Sequence, residues 1–235
     1  MALDADIAAN LNAVRARIDA AARRAGRDPG EITLIAVSKT FGADHVRAAW
    51  AAGQQDFGEN KVQEALQKIS ATSDIPVRWH LIGHLQSNKA RKAAAPFAAI
   101  HSIDSVDLLQ RIDSAAAEAG AAPDILVQVD LAGEASKFGA PAGESRRIAD
   151  AALACEAVRL CGLMLLPPWS EDQEAARPWF VRLRELRDEW IGAGVPRDAL
   201  RHLSMGMSHD FEAAIEEGAT MVRVGTAIFG KRTTT

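Results

Sequence analysis

Tyrosine is absent from all 235 residues, and aromatic residues together make up only 5%. Cysteine occurs twice, as Cys155 and Cys161. Two thiols cannot build a disulfide framework or a four-cysteine metal cage, and such sparing use fits a reducing compartment. No apolar run approaches the roughly 20 residues that a bilayer-spanning helix needs. The first residues carry Asp4 and Asp6 and no apolar stretch, so no secretory leader is expected. A formal net charge of -4 gives no general attraction to nucleic acid or to anionic lipid. The patterns Gly-x-Ser-x-Gly, Walker A and Gly-x-Gly-x-x-Gly are missing, as are a Pro/Ser-rich linker and any internal repeat. These absences point to a cytoplasmic protein with no membrane or nucleic-acid partner.

What remains is a globular composition, 48% hydrophobic and 25% charged. Ile7, Leu11, Val14 and Ile18 recur at helical spacing, and the helix they predict stops at the breaker cluster Gly26–Gly30. The run Ile32–Val37 is apolar, β-branched and short, and so predicts a buried strand. Strands are predicted over 32–37, 54–57, 78–82, 98–102, 124–130, 159–163, 201–204 and 221–224. Helices are predicted over 43–52, 60–70, 87–95, 105–119, 142–154, 173–192 and 209–217, with a last turn at 226–229. Eight alternations in a chain of this length predict a single α/β domain, a (β/α)8 TIM-type barrel with an extra N-terminal helix. An open doubly wound sheet is the alternative.

In such a barrel the chemistry sits where strands run into the following loops. Lys39 emerges directly from the first buried strand. Desolvation there would leave its amine uncharged and nucleophilic toward an aldehyde, although a lysine reaching out to solvent would look the same. Gly206-Met207-Ser208 and Val224-Gly225-Thr226 each precede a predicted helix. Two helix starts rich in Gly and Ser/Thr, after strands seven and eight, suit a phosphate group. Ordinary capping by Ser208 is the plain reading of the first. Alternation points Arg223 inward with Met221 and Gly225, either toward a ring nitrogen or into an ion pair with Glu59 or Asp130. Asn60 can face a ring hydroxyl or cap the helix that follows. His80 and His84 lie four apart with no carboxylate or cysteine close by in sequence, a poor zinc set. Cys155 and Cys161 read as buried, inert thiols.

The chain resembles the pyridoxal phosphate homeostasis proteins, the YggS/PROSC type, which share the alanine-racemase N-terminal barrel. The resemblance runs from about Ile32 to Gly230. It rests on Ala36-Val-Ser-Lys39, Phe57-Gly-Glu-Asn60, Trp79-His-Leu-Ile-Gly83 with Leu85-Gln-Ser-Asn-Lys89, and His101-Ser-Ile-Asp104. It continues through Gly162-Leu-Met164, Leu203-Ser-Met-Gly-Met-Ser208 and Val222-Arg-Val-Gly-Thr-Ala-Ile-Phe-Gly230. Two departures stand out, Phe138 within Lys137-Phe-Gly139 and the bulky Trp169 after Pro168. The resemblance implies pyridoxal 5′-phosphate (PLP) bound as an internal aldimine on Lys39. It also implies phosphate contacts from Ser208, Gly225 and Thr226 with help from the Met207 backbone, Arg223 at the pyridine nitrogen and Asn60 near the ring.

The related racemases oppose a lysine with a tyrosine that a partner chain's C-terminal β-domain supplies. Here there is no tyrosine, and the sequence ends just after the eighth strand. An arginine at the pyridine nitrogen can only donate, which leaves the ring a weaker electron sink. The expectation is a PLP carrier, a monomer or weak dimer. It would maintain PLP and vitamin B6 homeostasis and could serve apo-PLP enzymes as recipients. A low-activity amino-acid racemase or lyase is the alternative. A barrel that holds a phosphorylated metabolite without a covalent bond is a third.

Overall fold

A computed structural model describes residues 2–133 and 138–230. The strands are β1 (Thr33–Val37), β2 (Asp56–Glu59), β3 (Arg78–Leu81), β4 (Ala99–Ile103), β5 (Asp124–Asp130), β6 (Ala140–Pro141), β7 (Arg159–Leu165), β8 (His202–Met207) and β9 (Met221–Val224). The helices are α1 (Ala2–Arg24), α2 (Ala43–Ala51), α3 (Val62–Ala71), α4 (Ala90–Ala93), α5 (Val106–Ala119), α6 (Ala142–Ala152), α7 (Arg177–Gly192), α8 (Phe211–Glu216) and α9 (Thr226–Phe229). Every strand pairing is parallel. The order β1-β2-β3-β4-β5-β7-β8-β9 closes where β9 returns to β1, and β6 is a two-residue extension beside the end of β5. This is the (β/α)8 barrel with an added N-terminal helix that the alternation predicts.

Strand alternation divides the apolar residues into two layers. Ile35, Leu126, Cys161, Met164 and Met221 form a small cluster inside the barrel. Their strand neighbours Leu34, Ala36, Phe57, Leu81 and Leu163 face the helices in the larger core. The helix α1 lies across the closing seam. Ile7, Leu11, Val14 and Ile18 are buried, Asn10 Nδ2 donates to Ile228 O at 2.9 Å, and Arg27 Nη1 donates to Ile215 O and Ala219 O at 2.8 Å. With Arg17 of α1 also paired to Glu212 of α8 at 2.9 Å, the N-terminal helix and the turn after it clamp α8 and α9, which follow the last two rim loops.

The boundaries differ from expectation at informative places. β2 is Asp56–Glu59 rather than 54–57, because its Asp, Gly and Glu carry little strand signal. β8 runs to Met207, three residues beyond the predicted end, and α8 begins only at Phe211. Gly206 makes this possible. It has φ +90, and a Cβ there would lie 2.6 Å from the Ala214 Cβ. The predicted helices 87–95 and 173–192 each open with a 3-10 turn, at Ser87–Lys89 and Gln173–Ala176. Lys137 lies outside the described residues.

Leu11→Ala removes a fully buried side chain from the clamp and is expected to cost about 2–5 kcal/mol. Urea unfolding measures it; a loss well below that range would show that α1 does not fix the seam.

Candidate functional site

The C-terminal rim of the barrel opens into a cleft of about 530 Å3, within the size range of small-molecule sites. Lys39, Asn60, Met207, Ser208, Arg223, Gly225 and Thr226 all line it. The sequence-selected residues therefore meet on one surface, although β1, β2, β8 and β9 bring them from distant parts of the chain.

Lys39 sits in a turn that its neighbours hold on three sides. Phe41 N–H donates back to Ser38 O at 3.0 Å, and Thr40 has φ 72, the one left-handed non-glycine residue among those described. A β-branched residue adopts that conformation only under external constraint. The constraint is a buried polar cluster. Ser38 Oγ donates to Glu59 Oε1 at 2.6 Å, Lys68 Nζ donates to Ser38 O and Glu59 Oε1 at 2.7 Å each, and Thr40 N–H donates to Glu64 Oε1 at 2.5 Å. Lys68 also reaches Glu64 Oε1 at 3.0 Å. Glu59 is fully buried, and its second carboxylate oxygen, Oε2, has no hydrogen-bond partner. Burial pushes the Glu59 carboxyl above its ordinary value, against the opposing pull of Lys68 and Ser38.

Beside Lys39 on the rim, where β9 returns to β1, the two last loops are tied together. Gly225 N–H donates to Ser208 Oγ at 3.1 Å, which leaves the Ser208 hydroxyl hydrogen for another acceptor. A Cβ on Gly225 would lie 3.1 Å from Val37 O, so glycine lets this loop close against the end of β1. Behind it, Thr226 and Ala227 open α9, whose first N–H groups the helix itself cannot satisfy. Gly83 plays a similar part for Asn60, since a Cβ there would come within 2.3 Å of Asn60 O.

The structure corrects several sequence-level roles. Ser208 does not cap α8. The cap position is Asp210, and Ser208 instead bridges to Gly225. The Met207 backbone N–H is already given to Asp210 Oδ1 at 2.6 Å, so it is not available to an anion. Asn60 does not cap α3, whose cap position is Lys61. Arg223 does not pair with Glu59 or Asp130. Glu59 holds Lys68, and Asp130 Oδ1 accepts from the N–H groups of Ala132 and Gly133. Arg223 is 3% exposed and donates to Ser204 Oγ at 2.6 Å and to Leu165 O at 2.9 Å. Burial lowers its pKa to about 10, so it stays cationic at neutral pH.

Other lining residues were not selected from the sequence, among them Phe41, Ile82, Leu166 and His209. At the mouth Trp169 is 75% exposed and Phe138 55%. His84 stacks on Phe138, ring centroids 3.7 Å apart and planes nearly parallel, and its Nδ1 lies 3.4 Å from Asp104 Oδ2. His80 points instead into the barrel, where it meets His101. No group of three or more metal-ligating residues occurs among those described. Burial pushes the Cys155 thiol up to about 11 and that of Cys161 up to about 12, so neither is a ready nucleophile. Among the described residues no helix is long and apolar enough to cross a membrane.

Removing the cation beneath Lys39 tests the cluster. Lys68→Met leaves Glu59 buried and unpaired, at a cost of about 3–5 kcal/mol near neutral pH. A carboxyl with a raised folded pKa contributes stability at low pH that is lost as pH rises past its unfolded value. The penalty in Lys68→Met should therefore be smaller at about pH 4 than at about pH 8. Equal penalties by urea unfolding at both would exclude Glu59 as its source.

Residues 9–233 match the family described as alanine racemase, N-terminal domain. The pyridoxal phosphate homeostasis protein of Pseudomonas aeruginosa is 47% identical over 227 residues, 96% of each chain. That of Escherichia coli K12 is 42% identical over 230 residues, 97% of each chain. The structure of PipY from Synechococcus elongatus with PLP bound superposes with a TM-score of 0.84 at 39% identity, over 95% of this chain and 100% of that one. The chain belongs to the alanine racemase N-terminal domain family and, within it, to the pyridoxal phosphate homeostasis proteins.

Proposed function

We propose that this protein binds PLP reversibly at the rim cleft and serves PLP and vitamin B6 homeostasis in the cytoplasm, without efficient catalysis of its own. One observation carries this reading. The cleft is lined by a lysine, a buried donor-only cation and a set of hydroxyl and N–H donors. That donor set fits the three chemical ends of PLP, an aldehyde, a pyridine nitrogen and a phosphate. The names of the relatives and the PLP-bound PipY structure support the same ligand.

When bound, PLP supplies an aldehyde that amines add to and a ring that can accept electrons. The Lys39 amine would form the reversible covalent bond to that aldehyde. The Ser208 hydroxyl, the Thr226 hydroxyl and the first N–H groups of α9 would hold the phosphate, with Gly225 allowing the close approach. Arg223 would face the pyridine nitrogen, and Asn60 would flank the ring. Arg223 remains protonated and can only donate. A ring nitrogen that receives a hydrogen bond stays unprotonated, which disfavours carbanion chemistry. The absence of tyrosine removes the second proton-transfer base that a two-base racemase needs. Holding, limiting and releasing the aldehyde, with apo-PLP enzymes as recipients, needs neither feature.

Titration of the purified protein with PLP should generate a visible band that Lys39→Ala abolishes. Incubation with amino acids in deuterated solvent should give no Lys39-dependent label at Cα. A colourless titration would favour non-covalent phosphate binding, and sustained label incorporation would favour the racemase or lyase alternative. Ser208→Ala should weaken PLP retention by about 1–3 kcal/mol, measured by equilibrium dialysis. Unchanged affinity would remove Ser208 from the phosphate grip.

A further inference from the structure

A line of hydrogen bonds runs through the interior of the barrel, beneath the cleft. Arg223 Nη1 meets Ser204 Oγ at 2.6 Å, Ser204 Oγ meets His101 Nδ1 at 2.9 Å, His101 Nε2 meets His80 Nδ1 at 3.0 Å, and His80 Nε2 meets Asp56 Oδ1 at 3.0 Å. At the far end, Arg78 grips Asp56 through Nε at 2.8 Å and Nη2 at 2.6 Å. Ser204 and His101 are fully buried, and His80 and Asp56 are nearly so. Hydrocarbon side chains would fill this volume without the cost of burying polar groups.

With both imidazole rings neutral, the chemistry of the two ends sets the direction of every bond. A guanidinium has donors only, and an ionised carboxylate has acceptors only. Ser204 therefore accepts from Arg223 and turns its own hydrogen to His101 Nδ1. His101, with Nδ1 accepting, carries its proton on Nε2 and donates to His80 Nδ1. His80 in turn carries its proton on Nε2 and donates to Asp56. Burial holds the His101 pKa well below the ordinary histidine value, with the charge of Arg223 and the neighbouring histidines adding to it, which agrees with a neutral ring. Burial alone would raise the Asp56 carboxyl, but His80 and Arg78 outweigh it and leave it lowered, which agrees with an acceptor-only end.

We propose that Ser204, His101, His80 and Asp56 form a positioning relay that locks the Arg223 guanidinium in one orientation, with its remaining donors facing the cleft. The relay anchors from across the barrel the Ser204 hydroxyl that accepts from Arg223 Nη1, while the nearby Asp210 carboxylate favours the charge. Its existence is independent of PLP. Its effect on the bound pyridine ring rests on the function proposed above.

Nitrogen-15 NMR of the ligand-free protein tests the relay first. Both His80 and His101 should be neutral Nε2–H tautomers at neutral pH, and the Arg223 side-chain N–H signals should exchange slowly. An Nδ1–H tautomer at His101 would overturn the proposal. His101→Gln retains an acceptor for Ser204 and a donor for His80, so slow Arg223 exchange should survive; His101→Leu should lose it. In the PLP-loaded protein the Leu variant should shift the visible absorbance maximum, while Gln restores it. Unchanged Arg223 exchange and an unchanged spectrum in a folded His101→Leu protein would assign the string a packing role only. Should His101→Leu not fold, the wild-type tautomers and the Gln variant still decide. A wild-type protein with no PLP band would refute the proposed function and leave the NMR result to judge the relay alone.

Discussion

The site depends on a buried ion pair that never enters it. Glu59 and Lys68 lie outside the barrel wall, between β2 and α3, at 2.7 Å from one another. An isolated charge at either position would be costly to bury, so each requires the other. Their joint geometry has a consequence one layer away. Together with Glu64 they hold the backbone on both sides of Lys39 and keep Thr40 in a conformation it would not choose. The backbone that carries the lysine at the rim is therefore held from outside the barrel wall. The adjoining wall is set differently, by a glycine pressed on the end of β1 and a serine that joins two loops. The clamp of α1 over α8 and α9 keeps these walls in register across the seam where the barrel closes.

Much of the fold is legible because parallel barrel strands, covered on both faces, read as unbroken apolar runs. Ile32–Val37, with Thr33 its one polar residue, announces itself in this way. β2 does not, since Asp56 and Glu59 are polar residues buried by partners that no local pattern reveals. Four residues of the relay escaped for the same reason. His80 and His101 occupy strand positions whose side chains turn inward, and that parity was the available signal. Knowing that a histidine faces inward does not say what it meets. The cleft residues were legible for a different reason. Lysine after a buried strand and glycine with serine or threonine at two late strand ends are unusual local combinations, and barrel topology brings those ends to one rim. Their detailed roles were less accessible. Whether Ser208 caps a helix or bridges loops depends on where β8 stops, and Gly206 moves that boundary.

A carrier and an enzyme can share this scaffold, because the fold supplies the rim and leaves the chemistry to a few side chains. The arrangement here fits the carrier role proposed above. Arg223 is buried, cationic and able only to donate, the thiols are protonated, and tyrosine is absent. The mouth is broad and aromatic, with Trp169 and Phe138 in contact with solvent and His84 stacked behind Phe138.

Borohydride reduction of the PLP-loaded protein, followed by proteolysis and mass spectrometry of the labelled peptide, tests the central claim most directly. The account predicts a single stable adduct on the peptide that contains Lys39. A label fixed on a different lysine, or no reducible adduct in a protein that retains PLP, would contradict it.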